Sequence, residues 1–212
     1  DYALLWPIWL NRNYQYTGDQ QLVERTLPHL QKLLSYCSHV TAPGRTVLGD
    51  LGERFGAYCF LDHGSIDRSG IATGLNALYC RALLSAAQLH AAVDDNQQAD
   101  KCRDRASRVA HEMRELTWDQ NNGLFADSWR AGAASESCTM QTNVLAIYGG
   151  LPHKNQYDNI FDRFFINEPP FTRNGDPTTD NPYFKYFILE TAFALNRRKW
   201  AFSLLRWYWS SM

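Results

Sequence analysis

The run Phe60-Leu61-Asp62-His63-Gly64-Ser65-Ile66-Asp67 places two carboxylates and an imidazole just ahead of a long amphipathic stretch. Carboxylates accept hydrogen bonds from hydroxyl groups, and an imidazole can donate, accept or stack. Such a set in a loop at a helix entrance suits a hydroxyl-rich ligand, because loops carry function. Asp62 and His63 are the leading candidates. Asp67 is a third, with a competing role as a turn residue that binds backbone N–H groups before the helix. His63 could equally be a partly exposed structural histidine. Asp50 and Glu53 form a second carboxylate pair in the same region, more simply read as solvated loop charges.

Three further positions could touch such a ligand. Trp118 and Trp129 bracket Asn121-Asn122-Gly123, and an aromatic face suits the C–H face of a pyranose. Trp129 is the candidate platform, against core packing or hairpin pairing as the plainer role. Gln141 sits inside a helical pattern as an uncharged hydrogen-bonding group. Tyr183 follows a polar loop and either faces a central cavity or packs in the core. Asp119-Gln120-Asn121-Asn122-Gly123 has the flavour of a calcium loop, but its Gly comes one place early and no Glu closes it. No metal site and no cofactor are expected. The chain has no Gly-rich phosphate loop, no HExxH and no serine nucleophile elbow.

Composition narrows the partners. Lys and Arg number 21 against 22 Asp and Glu, a formal charge of -1. That balance gives no electrostatic reason to bind nucleic acid or an anionic membrane. The apolar run Ala3 to Leu10 contains Pro7 and is too short to cross a bilayer. The cysteines, Cys37, Cys59, Cys80, Cys102 and Cys138, lie far apart without a CxxC pair, which reads as reduced core thiols. A cytoplasmic location is favoured, with secretion left open.

The elements that must position these residues read as helical hairpins. Tyr2 to Tyr16 is a helix rich in Trp and Leu, broken at Thr17-Gly18-Asp19, where Gly suits the left-handed C′ position and Asp can cap the next helix. That helix spans Gln20 to His39, with a kink or restart expected at Pro28. Ala42 to Gly70 is long and irregular, a length often tied to function. Leu75, Leu78, Tyr79, Ala82, Leu83, Ala86, Leu89 and Val93 follow the i, i+3, i+4 rule. Asp94-Asp95-Asn96 ends that helix and caps a partner from Gln97 to Leu116. Asn121-Asn122-Gly123 predicts a short hairpin. Further helices are expected over Glu136 to Tyr148, Asp158 to Phe165, Tyr183 to Leu195, and from Lys199 onward, with a polar loop at Pro169 to Pro182. Helix pairs with short turns at one end and long loops at the other predict an all-α fold, an (α/α) toroid, and not a four-helix bundle with uniformly short links.

Four stretches in this order carry a resemblance: Tyr16-Thr17-Gly18-Asp19; Phe60-Leu61-Asp62 with Gly74-Leu75-Asn76-Ala77-Leu78-Tyr79; Thr142-Asn143-Val144-Leu145-Ala146 with Gly149-Gly150-Leu151; and Asn181-Pro182-Tyr183-Phe184 with Leu204-Leu205-Arg206-Trp207-Tyr208-Trp209. Together they resemble the six-hairpin catalytic domain of bacterial α-L-rhamnosidases, glycoside hydrolase family 78. The resemblance implies a carbohydrate substrate and inverting hydrolysis of terminal α-L-rhamnosides. Two departures stand out: His63 follows Asp62 where the family commonly has Trp, and Gln141 replaces a family His. The resemblance also implies that the family's acid-bearing motif lies N-terminal to Asp1-Tyr2-Ala3, and its basic glutamate beyond Trp209-Ser210-Ser211-Met212. The expectation is therefore one helical domain over residues 1–212, a core slice and partial barrel of a larger glycosidase domain, inactive alone. Its open faces, with Trp6, Trp9, Trp207 and Trp209, should leave apolar surface and favour self-association. The alternative is a non-catalytic helical module that binds carbohydrate or protein.

Overall fold

The structure, a computed structural model, describes residues 1–52, 56, 59–165 and 182–210. Eight α-helices are present among them: α1 (Tyr2–Thr17), α2 (Gln20–His39), α3 (Thr73–Ala92), α4 (Asn96–Thr117), α5 (Met140–Gly149), α6 (Tyr157–Phe165), α7 (Pro182–Ala194) and α8 (Arg198–Trp209). Five strands of two or three residues join them: β1 (Ile71–Ala72), β2 (Trp118–Asp119), β3 (Leu124–Phe125), β4 (Ser128–Arg130) and β5 (Ala133–Ala134).

The helix ends obey local chemistry. Gly18, at φ 66°, closes α1 in the left-handed conformation that glycine adopts without a Cβ penalty. Asp19 then accepts from the Leu22 N–H at 2.9 Å and caps α2. Asp95 caps α4 through the Gln98 N–H. The restart expected at Pro28 does not occur: α2 runs through it as one element. The second correction concerns α5, which begins at Met140 and not at Glu136. The Asp127 carboxylate explains the delay. It accepts from the Ser137 hydroxyl, the Thr139 N–H and the Thr139 hydroxyl at 2.7–2.9 Å, which holds 137–139 out of the helix.

The helices pair as hairpins, α1 with α2, α3 with α4, α5 with α6 and α7 with α8, while α1, α3, α5 and α7 pack side by side in that order. The second set forms an inner layer and its partners an outer one, which is the arrangement of an α/α toroid. Burial agrees: α3 and α5 are buried along most of their length, whereas α2 and α4 bury one stripe each. The approach of α5 to α3 depends on Gly149, where an added Cβ would stand 2.4 Å from the Ala77 carbonyl oxygen. Phe161, Phe165 and Trp200 pack ring to ring and tie α6 to α8.

Strand pairing is confined to one end. The hairpin expected at Asn121-Asn122-Gly123 is present as β2–β3, with Trp118 opposite Phe125. A second sheet, in the order β1-β4-β5, pairs Ile71 with Trp129 and Trp129 with Ala134. Two asparagines anchor the loops to the inner helices in the same way. Near the start of α3, Asn76 accepts from the Leu48 N–H at 2.7 Å and donates to the Leu48 and Ala72 carbonyls. Near the start of α5, Asn143 accepts from the Phe125 N–H at 2.8 Å and donates to the Phe125 and Thr139 carbonyls. Each buried amide satisfies backbone groups that have no strand partner there.

Candidate functional site

The starts of all four inner helices converge on the loop 59–63. Tyr2 of α1 stacks on Phe60, with ring centroids 6.1 Å apart. Gly74 of α3 lies against Leu61, where an added Cβ would stand 2.8 Å from a leucine methyl. Gln141 of α5 donates from Nε2 to Asp62 Oδ2 at 3.2 Å. Tyr183 of α7 packs on Phe60 at 5.6 Å and on Tyr2 at 6.1 Å. His63 meets the Phe60 ring edge-on at 5.1 Å.

The result is a tier of rings over a buried carboxylate. Asp62 and Gln141 are buried, at 0 % and 5 % exposure, while His63 is exposed and Phe60 and Tyr183 are half-buried. Arg68 fixes the loop by donating to the Asp62 carbonyl at 2.6 Å and to the Ile66 carbonyl at 3.4 Å. Burial pushes the Asp62 carboxyl above the ordinary range, partly offset by Gln141, the His63 backbone N–H and the nearby charges of His63 and Arg68. Burial also pushes the Tyr183 hydroxyl up, and Tyr2, Asp62 and Cys59 add to it. The arrangement offers an apolar ring surface, an imidazole at its edge, and an acceptor beneath.

Asp67 stands in a neighbouring network. Its carboxylate accepts from the Ser69 N–H at 2.9 Å, the Ser69 hydroxyl at 2.7 Å and the Ser128 hydroxyl at 2.8 Å. Burial alone would raise it, but the hydrogen bonds of Ser69, Ser128 and Ser135 outweigh burial and hold it at about 2. Its N–H in turn donates to the buried Asp127. Trp129 stands in β4, half-buried, with the Arg45 guanidinium 4.8 Å from its ring centroid and Arg45 itself paired with Glu112. Of the residues expected from sequence, the fold brings together Asp62, His63, Gln141 and Tyr183, and sets Asp67 and Trp129 in adjoining structure. Asp50 accepts from the Gly70 N–H at 2.8 Å; Glu53 lies outside the described residues, as does most of the loop expected at Pro169 to Pro182.

Sequence reasoning missed Tyr2, Phe60 and Asp127. Tyr2 carried a signal as an aromatic residue opening α1, and Phe60 as an aromatic residue two places before Asp62. Asp127 carried none, because the partners of its carboxylate come from two other segments, Asp67 and residues 137–139.

Solved structures with a similar fold include two rhamnosidases. A glycoside hydrolase family 78 rhamnosidase of Bacillus sp. GL1 superposes with a TM-score of 0.81 at 21% identity, covering 98% of this chain and 21% of that one. The chain has the fold of a rhamnosidase domain. A rhamnosidase from Klebsiella oxytoca, solved with rhamnose bound, gives a TM-score of 0.73 at 15% identity, covering 100% of this chain and 38% of that one. The chain thus spans about a fifth and two-fifths of those proteins. A family model described as Trehalase matches residues 67–167. No curated protein sequence matches the chain. At these identities the likeness to the rhamnosidases is one of fold, and fold alone does not fix chemistry.

Proposed function

We propose that the chain is the sugar-binding core of an inverting glycoside hydrolase that cleaves terminal α-L-rhamnosides. The observation that carries this reading is the ring tier Tyr2, Phe60, His63 and Tyr183 over Asp62, gathered at the start of four inner helices in a rhamnosidase fold. A pyranose lays its C–H face on the rings. His63 hydrogen-bonds a hydroxyl at the rim, and Asp62, oriented by Gln141, accepts from another when the sugar displaces the side chains that bury it. Asp67 and Asp127 hold the loop, and Trp129 extends the sugar-facing surface from the adjoining sheet.

Inverting hydrolysis needs a protonated carboxyl to donate to the leaving oxygen and an ionised one to activate water, roughly 6.5–9.5 Å apart. Their environments must push the two pKa values apart. The cluster contributes one carboxylate, Asp62, and Asp67 is a poor base with its oxygens saturated and its pKa near 2. We therefore assign the acid and base to residues outside the cluster. A second reading, a non-catalytic carbohydrate-binding module, is favoured by the complete burial of Asp62.

Turnover of an aryl α-L-rhamnoside and titration with L-rhamnose test both readings. The 212 residues alone should bind rhamnose weakly and turn over little, since loss of a general acid costs on the order of 10²–10⁴ in rate. A longer chain with both carboxylates should hydrolyse the substrate. Efficient turnover by the 212 residues would overturn the placement of the acid and base. Absence of turnover in the longer chain would establish the binding module.

A further inference from the structure

A cavity of about 540 Å³, partly open, lies toward the other ends of the inner helices. Its wall takes Arg12 from α1, Arg81 from α3, Tyr148 from α5, and Glu190 and Thr191 from α7. Two glycines at the end of α5, Gly149 and Gly150, also line it. Gly149 is required by the close approach to Ala77, and Gly150, at φ 79°, takes a conformation that side chains rarely adopt.

The polar groups on this wall are under-used. Thr191 is 1 % exposed, and its hydroxyl makes no hydrogen bond. Tyr148 is 7 % exposed, and its hydroxyl approaches Tyr186 without a hydrogen bond of ordinary geometry. The Arg81 Nε–H is buried and also unbonded, while its guanidinium lies 5.0 Å from the Tyr148 ring centroid. Buried polar groups are bonded in the great majority of cases, so three together on one cavity wall point to a ligand. The volume is in the range of small-molecule pockets.

We propose that this cavity binds a small hydroxylated monocarboxylate, such as a uronic or aldonic acid. Charge selects the class. Arg12 pairs with Glu190, and Arg81 has no carboxylate partner among the described residues. The cavity therefore carries a single positive charge in excess, which suits one carboxylate and leaves a phosphate dianion under-compensated. The carboxylate lies against Arg81 and accepts from the Thr191 and Tyr148 hydroxyls. Glu190 accepts from the ligand's own hydroxyls. The site is separate from the ring tier and does not depend on the rhamnosidase reading.

Calorimetric titration with D-glucuronate, D-gluconate, D-glucose and glucose 6-phosphate decides it. Glucuronate or gluconate should bind and glucose should not, with affinity reduced about tenfold or more in Arg81→Gln. Thr191→Val keeps the side-chain shape and removes the idle hydroxyl; it should weaken binding severalfold without lowering Tm. The proposal is overturned if neither acid binds, if glucose 6-phosphate binds more tightly than both, or if the two variants bind the acids as the parent does.

Discussion

At the scale of single residues, Asp62 separates a binding role from a packing one. A carboxyl whose folded pKa is raised is stabilising in its protonated form. Its contribution is present below the ordinary carboxylate range and is lost as pH rises through the raised folded value. Replacement by Asn removes a buried charge and keeps an oxygen for Gln141. Asp62→Asn should therefore match or exceed the parent in Tm at pH 7 and lose part of the parent's stability decline above the carboxylate range. A thermal-melt series from pH 4 to 8 checks this, and a large drop in Tm at pH 7 would make Asp62 a structural residue. Asp62 and His63 were legible in the sequence because both lie in one loop segment. Their partners Gln141 and Tyr183 were legible as single positions, but their convergence was not, since it depends on where α5 and α7 begin.

At the scale of elements, the loop is held by hydrogen-bonded carboxylates. Asp127, fully buried, ties Asp67 to Ser137 and Thr139, and so sets where α5 and its Gln141 start. Asp127→Ala would leave several donors unsatisfied in the interior. It should cost about 3 kcal/mol or more, read from denaturant unfolding. Asp67 gives the network an acid limit. With its folded pKa lowered to about 2, its stabilisation is present above the ordinary carboxylate pKa and is lost as pH falls through 2. Hydrogen exchange at Ser69, whose N–H donates to the Asp67 carboxylate, should accelerate across that window in the parent and far less in Asp67→Asn. The helices themselves were readable from sequence, because Gly18, Asp19 and Asp95 act locally and the apolar stripes repeat at helical spacing. The β1-β4-β5 sheet was not readable. Its strands have two or three residues, too short for alternation, and Ile71 finds Trp129 only through tertiary packing.

At the scale of the whole molecule, the described helices pair as four hairpins of a toroid and leave large apolar groups exposed. Trp9 and Phe202 are 52 % exposed, and Trp209 is 37 % exposed. Phe193 and Phe202 stack edge to face while both remain exposed. Aromatic side chains of this kind bury roughly 150–250 Å² each when covered. The 212 residues should self-associate with rising concentration in sizing and scattering, and Trp9→Glu with Phe202→Glu should return them to a monomer. A parent that stays monomeric at high concentration would remove these faces from consideration as interfaces.

If the sugar sits on the ring tier over Asp62, a crystal structure of the protein soaked with L-rhamnose should show it there. The sugar should lie on the rings of Phe60 and Tyr183, with a ring-edge hydrogen bond from His63 and a hydroxyl within hydrogen-bonding distance of the Asp62 carboxylate. Rhamnose seated elsewhere, with Asp62 still buried and bonded to Gln141, would contradict this placement.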